Sequence, residues 1–354
     1  MKEFFKKKIF LKKNIVIGQK KTFVVAEISG NHCGNLEVLK KSILSAHACG
    51  ADAVKIQSYE ADTMTLNVKN NHFLINDESI WKGKYLYELY KSAMTPFKWH
   101  KEIFNFTKKN KIFCFSSPFD LSSLKILENL NCPIYKVASP EIEDLNLIDH
   151  ISRTMKPVII STGIADDHAI KEALKICKKN NNKKIILLNC ISSYPAKDQE
   201  LNLTYINKLK KYVNIVGYSD HSTKDQASLT SVALGAKVIE KHFILNKKLN
   251  SPDKSFSLDP KSFTKLVKKI RLIENMLGSE KINKKKIIKN KIKTVTRSFF
   301  YSRNVFIGEV VSDKNIKSVR PGTGLPLYHY KKIIGKRIKK NRNFGDPVAL
   351  SDLK

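Results

Sequence analysis

Residues 214–243 read NIVGYSDHSTKDQASLTSVALGAKVIEKHF. The opening five residues are apolar and rich in β-branched side chains, which predicts a strand over 214–218, with Ser219, Asp220 and His221 directly after it. Residues 226–234 carry apolar side chains at helical spacing, and Gly235 closes that run. A second apolar strand is predicted over 236–239, followed by Glu240, Lys241 and His242. Parallel strands joined by a helix finish on the same side of their sheet, so His221 and His242 should stand side by side at its mouth. A lone histidine at a strand end is more often a satisfied polar residue than a ligand. Two at matched positions, with acids nearby, point to a divalent metal held by two imidazoles with positions left open for substrate.

The same unit repeats upstream. Strands are predicted over 22–26, 53–56, 112–115, 134–138, 157–160 and 184–189, with helices over 36–49, 96–110, 121–130, 147–153 and 167–179. Eight strands alternating with helices over roughly 240 residues is the count and length of a (β/α)8 TIM barrel, whose sites lie at the C-terminal strand ends. Nearly every such end carries a polar residue here: Glu27, Lys55, Ser116, Lys136, Ser161, Ser192, His221 and His242. A barrel with a purely structural role has no need of them. A doubly wound open sheet is the competing fold, but no GxGxxG follows the first strand. The connection from Glu60 to Ala93 is long and holds an aromatic segment, Trp81–Tyr90, and connections of that length tend to be functional.

Composition narrows the class. The chain has 354 residues, 42% of them hydrophobic, enough for one large α/β domain and a smaller one. No apolar run is long enough to span a bilayer, and the basic start MKEFFKKKIFLKKN lacks the uninterrupted apolar stretch of a signal peptide. Six cysteines without a CxxC pair suit free thiols in a reducing cytoplasm. The net charge of +33 raises the question of nucleic acid. Its lysines are dispersed among asparagines and isoleucines, and no helix-turn-helix, zinc-finger or aromatic–basic signature accompanies them, so a basic nucleic-acid-binding protein on a barrel scaffold is the weaker reading. A helix is predicted over 262–277, then a solvated basic linker over 281–294. Residues 295–354 change character, with turn glycines and short strand-like pieces, and read as a small β-rich domain. The expected organisation is a barrel over 1–280 with a short N-terminal extension, the linker, and that small domain.

In order along the chain, the phrases AEISGNH (26–32), GADAVKIQSY (50–59), FSSPFD (115–120), YKVASPEI (135–142), IISTGI (159–164), GYSDHS (217–222), EKHF (240–243) and SPDKSFSLDP (251–260) resemble the sialic-acid synthase family. TRSFFYSR (296–303) and VRPGTGL (319–325) look like its C-terminal SAF, or antifreeze-like, domain. The resemblance runs from about Phe23 to Lys354. EISGNH, SSPFD and SPDKSFS are most similar to the branch that makes pseudaminic acid, with the N-acetylneuraminate and legionaminate branches as alternatives. Ser251 departs from the glycine that the family often has before Pro-Asp.

The resemblance implies a metal-dependent condensation of phosphoenolpyruvate with an open-chain amino-sugar aldehyde, with loss of phosphate by C–O cleavage. His221 and His242 would hold Mn2+, with Mg2+ as the alternative; imidazole ligation favours Mn2+. Lys55 and Lys136 suit the charges of phosphoenolpyruvate. The resemblance gives Ser139, Ser161, Ser192 and Ser219 to its phosphate and carboxylate. Glu27 is the expected acid/base, with Glu141 a second carboxylate on the same rim. Gln57, Tyr194, Asp253 and residues of the long connection after the second strand would contact the sugar. Arg320 would reach it from the SAF domain of a second subunit, which implies a domain-swapped homodimer.

Overall fold

A computed structural model describes residues 1–12, 15–77, 79–278 and 293–354. Two compact units result, one over residues 1–278 and one in the C-terminal stretch. Most of the linker expected over 281–294 lies outside the described residues.

The first unit is a closed parallel barrel. An N-terminal hairpin, β1 (Ile9–Lys12) and β2 (Ile15–Ile17), precedes it. The barrel strands are β3 (Phe23–Glu27), β4 (Ala53–Ser58), β5 (Cys114–Pro118), β6 (Tyr135–Val137), β7 (Val158–Ser161), β8 (Ile185–Cys190), β9 (Ile215–Asp220) and β10 (Val238–His242). They pair in chain order, and β10 closes on β3. The strands are buried along almost their whole length, as parallel strands covered by helices must be. Helices begin promptly after the strand-end loops because side-chain oxygens cap them: Asn35 accepts from Glu37 and Val38, Asp120 from Ser123, Asp144 from Leu147, Asp166 from Ala169 and Asp259 from Ser262.

The strands differ from the sequence reading at their ends. Seven of them run past the last residue that apolar content predicts, β3, β7 and β8 by one residue, β4 and β9 by two, and β5 and β10 by three, and so take in Glu27, Gln57, Ser58, Ser116, Ser117, Ser161, Ser219, Asp220, Glu240 and His242. The reason is ladder pairing, which continues regardless of side-chain polarity: His242 pairs with Glu27, and Glu27 with Lys55. The lining residues on these strands are therefore held by backbone hydrogen bonds, while Ser139, Glu141, Tyr194, His221 and Asp253 follow the strand ends.

Alternation along β9 and β10 sends neighbouring residues to opposite faces. Ser219, Glu240 and His242 line the barrel mouth, while Asp220 and Lys241 face the surrounding helices. Lys241 is 0% exposed and pairs with Asp220 at 3.1 Å. Asp220 also accepts from Ser222 and Ser228. This outward pair fixes the wall whose inner face carries both histidines.

The N-terminal stretch, read above only as a basic extension, packs Phe5, Ile9 and Ile17 into the barrel core. Its main chain is held by Lys183 and Asn214, which precede β8 and β9, so it covers the end opposite the mouth. The second unit contains the antiparallel strands β11 (Ser298–Tyr301), β12 (Ile316–Val319) and β13 (Leu325–Pro326) around its own core, including Phe299, Val305, Ile316, Ile338 and Val348. Among the described residues no helix is long and apolar enough to cross a membrane, and all six cysteines are unpaired.

Candidate active site at the barrel mouth

The C-terminal strand ends enclose a cavity of about 360 Å³. Its floor is a cluster of buried charges. Lys55 Nζ lies 2.6 Å from Glu27 Oε2 and 2.9 Å from Glu240 Oε1. Lys136 reaches the same Glu240 oxygen at 3.5 Å, and Ser219 Oγ donates to it at 3.0 Å. All five residues are at least 96% buried. Burial opposes ionisation of Glu240, but the ammonium groups of Lys136 and Lys55 outweigh it and hold the carboxyl well below the usual range. Burial pulls Lys55 down to about 7, against the charge of Glu240. Glu27 is oriented by the Ser29 N–H, which donates to Oε1 at 2.7 Å.

Above the floor stand the two histidines, their ring centroids 5.5 Å apart. His221 Nδ1 donates to the Ile191 carbonyl at 2.7 Å, which leaves Nε2 with a free lone pair. His242 Nδ1 is buried without a hydrogen-bond partner, 3.9 Å from Asp253 Oδ2. Burial holds His221 down to about 4 and His242 well below its ordinary value, so both rings are neutral at physiological pH. Two neutral imidazoles with available nitrogens fit a divalent ion. Among the described residues no group of three or more His, Cys, Asp or Glu side chains converges as a metal cage, so this chain would leave most coordination positions to water or substrate.

A hydroxyl-rich wall runs beside Lys136. Ser192 Oγ donates to Ser139 Oγ at 3.0 Å, and Ser139 Oγ accepts from the Ile164 N–H at 3.0 Å. Ser161 Oγ is buried and unpartnered. A Cβ on Gly163 would come within 2.8 Å of Cys190 Sγ, Ser192 Oγ and Ser139 Oγ, so only glycine lets the chain enter this cradle. Glu141 also lines the cavity, with an unpartnered buried oxygen, and burial raises its carboxyl to about 7.

The cavity thus brings together Glu27, Lys55, Gln57, Lys136, Ser139, Glu141, Ser161, Tyr194, Ser219, His221, His242 and Asp253. Ser192 is not among the residues lining this cavity and touches it through its hydrogen bond to Ser139. Arg320 lies in the second unit, just after β12. The sequence reading did not select Glu240, the acid on which both lysines converge. Strand alternation was the available signal, since a residue two before an inward His242 must itself point inward. It gave the long connection with its Trp81–Tyr90 segment to the sugar as a whole, and did not single out Tyr59 or Phe256, which also line the cavity.

Residues 42–282 match the family model described as the NeuB family, and residues 296–354 match the SAF domain. The chain belongs to the NeuB family. It is 42% identical over 337 residues to a pseudaminic acid synthase of Campylobacter jejuni, covering 95% of this chain and 97% of that one. It is 40% identical to the pseudaminic acid synthase of Helicobacter pylori, covering 93% and 97%. Among solved structures, the N-acetylneuraminic acid synthetase of Leptospira borgpetersenii, crystallised with citrate, matches with a TM-score of 0.71 and 31% identity over 80% of this chain and 95% of that one.

The raised Glu141 carboxyl gives a pH prediction. Its value in the fold, about 7, lies above the ordinary 4.5, so the folded state holds that proton more tightly than the unfolded chain. Stability from this group is present below pH 4.5 and is lost as pH rises towards 7. In urea melts, Glu141→Gln should gain about 1–3 kcal/mol relative to the parent between pH 5 and pH 8. An equal difference at the two pH values would contradict a buried, proton-retaining Glu141.

Proposed function

We propose that the chain acts as a pseudaminic acid synthase, condensing phosphoenolpyruvate with open-chain 2,4-diacetamido-2,4,6-trideoxy-altrose. The observation that carries this reading is the buried Lys55–Glu240–Lys136 cluster directly beneath two neutral histidines. Similarity to pseudaminic acid synthases over nearly the whole chain supports the choice of sugar.

The reaction balances as follows. The C2=C3 electron pair of phosphoenolpyruvate attacks the aldehyde carbon, and the aldehyde oxygen takes a proton. Water adds at C2 and gives up a proton. The C2–O bond then breaks, phosphate leaves, and a keto acid remains. A divalent ion at His221 and His242, Mn2+ in preference to Mg2+, would act as a Lewis acid on the aldehyde oxygen.

The chain's own residues supply the rest. Lys55 and Lys136 face the anionic groups of phosphoenolpyruvate. Glu27 and Glu240 pair with them, so part of their charge is engaged before a polyanion binds. Ser139 and Ser161 donate to phosphate or carboxylate oxygens, Ser192 supports Ser139, and Ser219 joins them by turning its hydroxyl from Glu240 to the substrate. Glu27, fixed by the Ser29 N–H and Lys55, exchanges the proton of the attacking water or the new hydroxyl. Glu141 keeps a proton up to about pH 7 and can donate it. Gln57, Tyr194 and Asp253 stand along the sugar. Arg320 reaches the sugar from a partner's SAF domain in a domain-swapped homodimer. Six free thiols suit work in the cytoplasm.

Phosphate release from phosphoenolpyruvate should need the diacetamido sugar and a divalent ion, and EDTA should abolish it. Release with N-acetylmannosamine or the legionaminate precursor instead would move the sugar assignment. Release with none of the three sugars would overturn the enzymatic reading and favour the basic binding protein, which a steep salt dependence of DNA binding would reveal. Glu27→Gln should lower the rate by about 10²–10⁴-fold, the range for a positioned acid/base group. A near-normal rate would remove Glu27 from proton transfer. Mixing His242→Ala with Arg320→Ala subunits should restore activity through heterodimers carrying one intact site. Mixtures as inactive as their parents would contradict completion of the site across subunits.

A further inference from the structure

The cavity has two parts of opposite character. Its floor is made of strand ends and is polar and charged. Its outer part comes from the connection between β4 and β5 and from Phe119 just after β5. There Met64, Ile75, Trp81, Leu86 and Phe119 are half-buried and line the cavity, with the buried Leu89 beside them. These are large apolar side chains that the fold itself does not cover.

Two of the polar handles in this outer part are turned onto the protein, while Asp77, Ser79 and Tyr90 also line the cavity beside the apolar side chains. Trp81 Nε1 donates to the Pro252 carbonyl at 3.1 Å, and the Tyr59 hydroxyl points at the Tyr90 carbonyl at 3.4 Å. Asp77 accepts from the Ser79 N–H at 3.0 Å. What Trp81 and Tyr59 offer a ligand is ring surface. A ligand hydroxyl buried against it would lose its water partner without replacement, whereas a methyl group would gain by leaving water.

The direction of a bound sugar follows from the stacking of the wall. Tyr194 lies on His221, with centroids 4.4 Å apart, and Trp81 lies on Tyr194 at 5.4 Å. A chain whose aldehyde sits at the two histidines and follows this wall carries its far end outward, to Trp81 and Ile75. In an open-chain hexose the far end is C6.

We infer that the outer lobe formed by Met64, Ile75, Trp81, Leu86, Leu89 and Phe119 is the subsite that receives the methyl-bearing end of the sugar and selects a 6-deoxy substrate over its 6-hydroxy counterpart. This inference rests on the function proposed above and assigns the specificity of that same site.

The test compares 2,4-diacetamido-2,4,6-trideoxy-altrose with the same sugar bearing a hydroxyl at C6. Phosphate release gives kcat/KM for each. The parent protein should prefer the deoxy sugar by about 10–10²-fold, the range an apolar pocket achieves against one added hydroxyl. Ile75→Thr, on a half-buried position of the outer connection, should narrow that preference several-fold, and Leu89→Asn should narrow it further. Leu89 is buried, so its variant is scored only if thermal melting and phosphoenolpyruvate affinity match the parent; Ile75→Thr carries the test otherwise. A parent that uses both sugars equally, or a preference unchanged in folded Ile75→Thr, would overturn the subsite while leaving the condensation standing. Absence of release with either sugar would instead overturn the proposed function.

Discussion

Glu240 is the constraint on which the mouth of this barrel depends. Two ammonium groups, on strands separated in the barrel, are taken almost wholly out of water and share one carboxylate oxygen. An unpaired buried charge is costly, and removing one partner of such a set is typically worth about 3–5 kcal/mol. The arrangement persists because each member has a partner and because parallel register leaves no other placement. Lys55, Glu27 and His242 stand level across adjacent strands, and Ser219 is level with Glu240 one strand away. The fold thus gathers lysines and carboxylates at one depth, each paired before anything binds.

The same geometry separates two kinds of work by depth. Strand ends, fixed by backbone ladders, hold both lysines, Glu27 and His242, and His221 follows β9 directly. The connection that follows β4 forms the outer wall, where shape and polarity matter more than sub-ångström precision. Proximity chemistry is sensitive to small displacements, so rigid strand ends suit the reacting atoms. A longer and less regular connection suits recognition, because it can change without disturbing the floor.

Much of this was legible in the sequence, for reasons that can be traced to particular residues. The repeated strand–helix unit specified the barrel, since apolar runs and helical spacing are local signals. His221 and His242 were legible because they occupy matched places in two successive units. Glu240 was not, because ladder pairing carries β10 past its last apolar residue, and only the extended strand brings Glu240 to the inside. The N-terminal hairpin was hidden by lysines interrupting its alternation, and its burial depends on contacts with segments near 183 and 214. The aromatic lobe has no period to read: hairpin contacts such as Leu74 to Tyr85 and the Trp81–Pro252 hydrogen bond bring it together across a long connection.

The central claim is that this mouth performs a condensation in which phosphate departs with its bridging oxygen. The most direct measurement uses phosphoenolpyruvate carrying a heavy oxygen isotope in the bridge between C2 and phosphorus, incubated with the diacetamido sugar and Mn2+. The account predicts that the label leaves in inorganic phosphate while the new keto acid takes its C2 oxygen from water. Label retained in the sugar acid would mean cleavage at phosphorus, and would contradict the assignment of water attack at C2 beside Glu27.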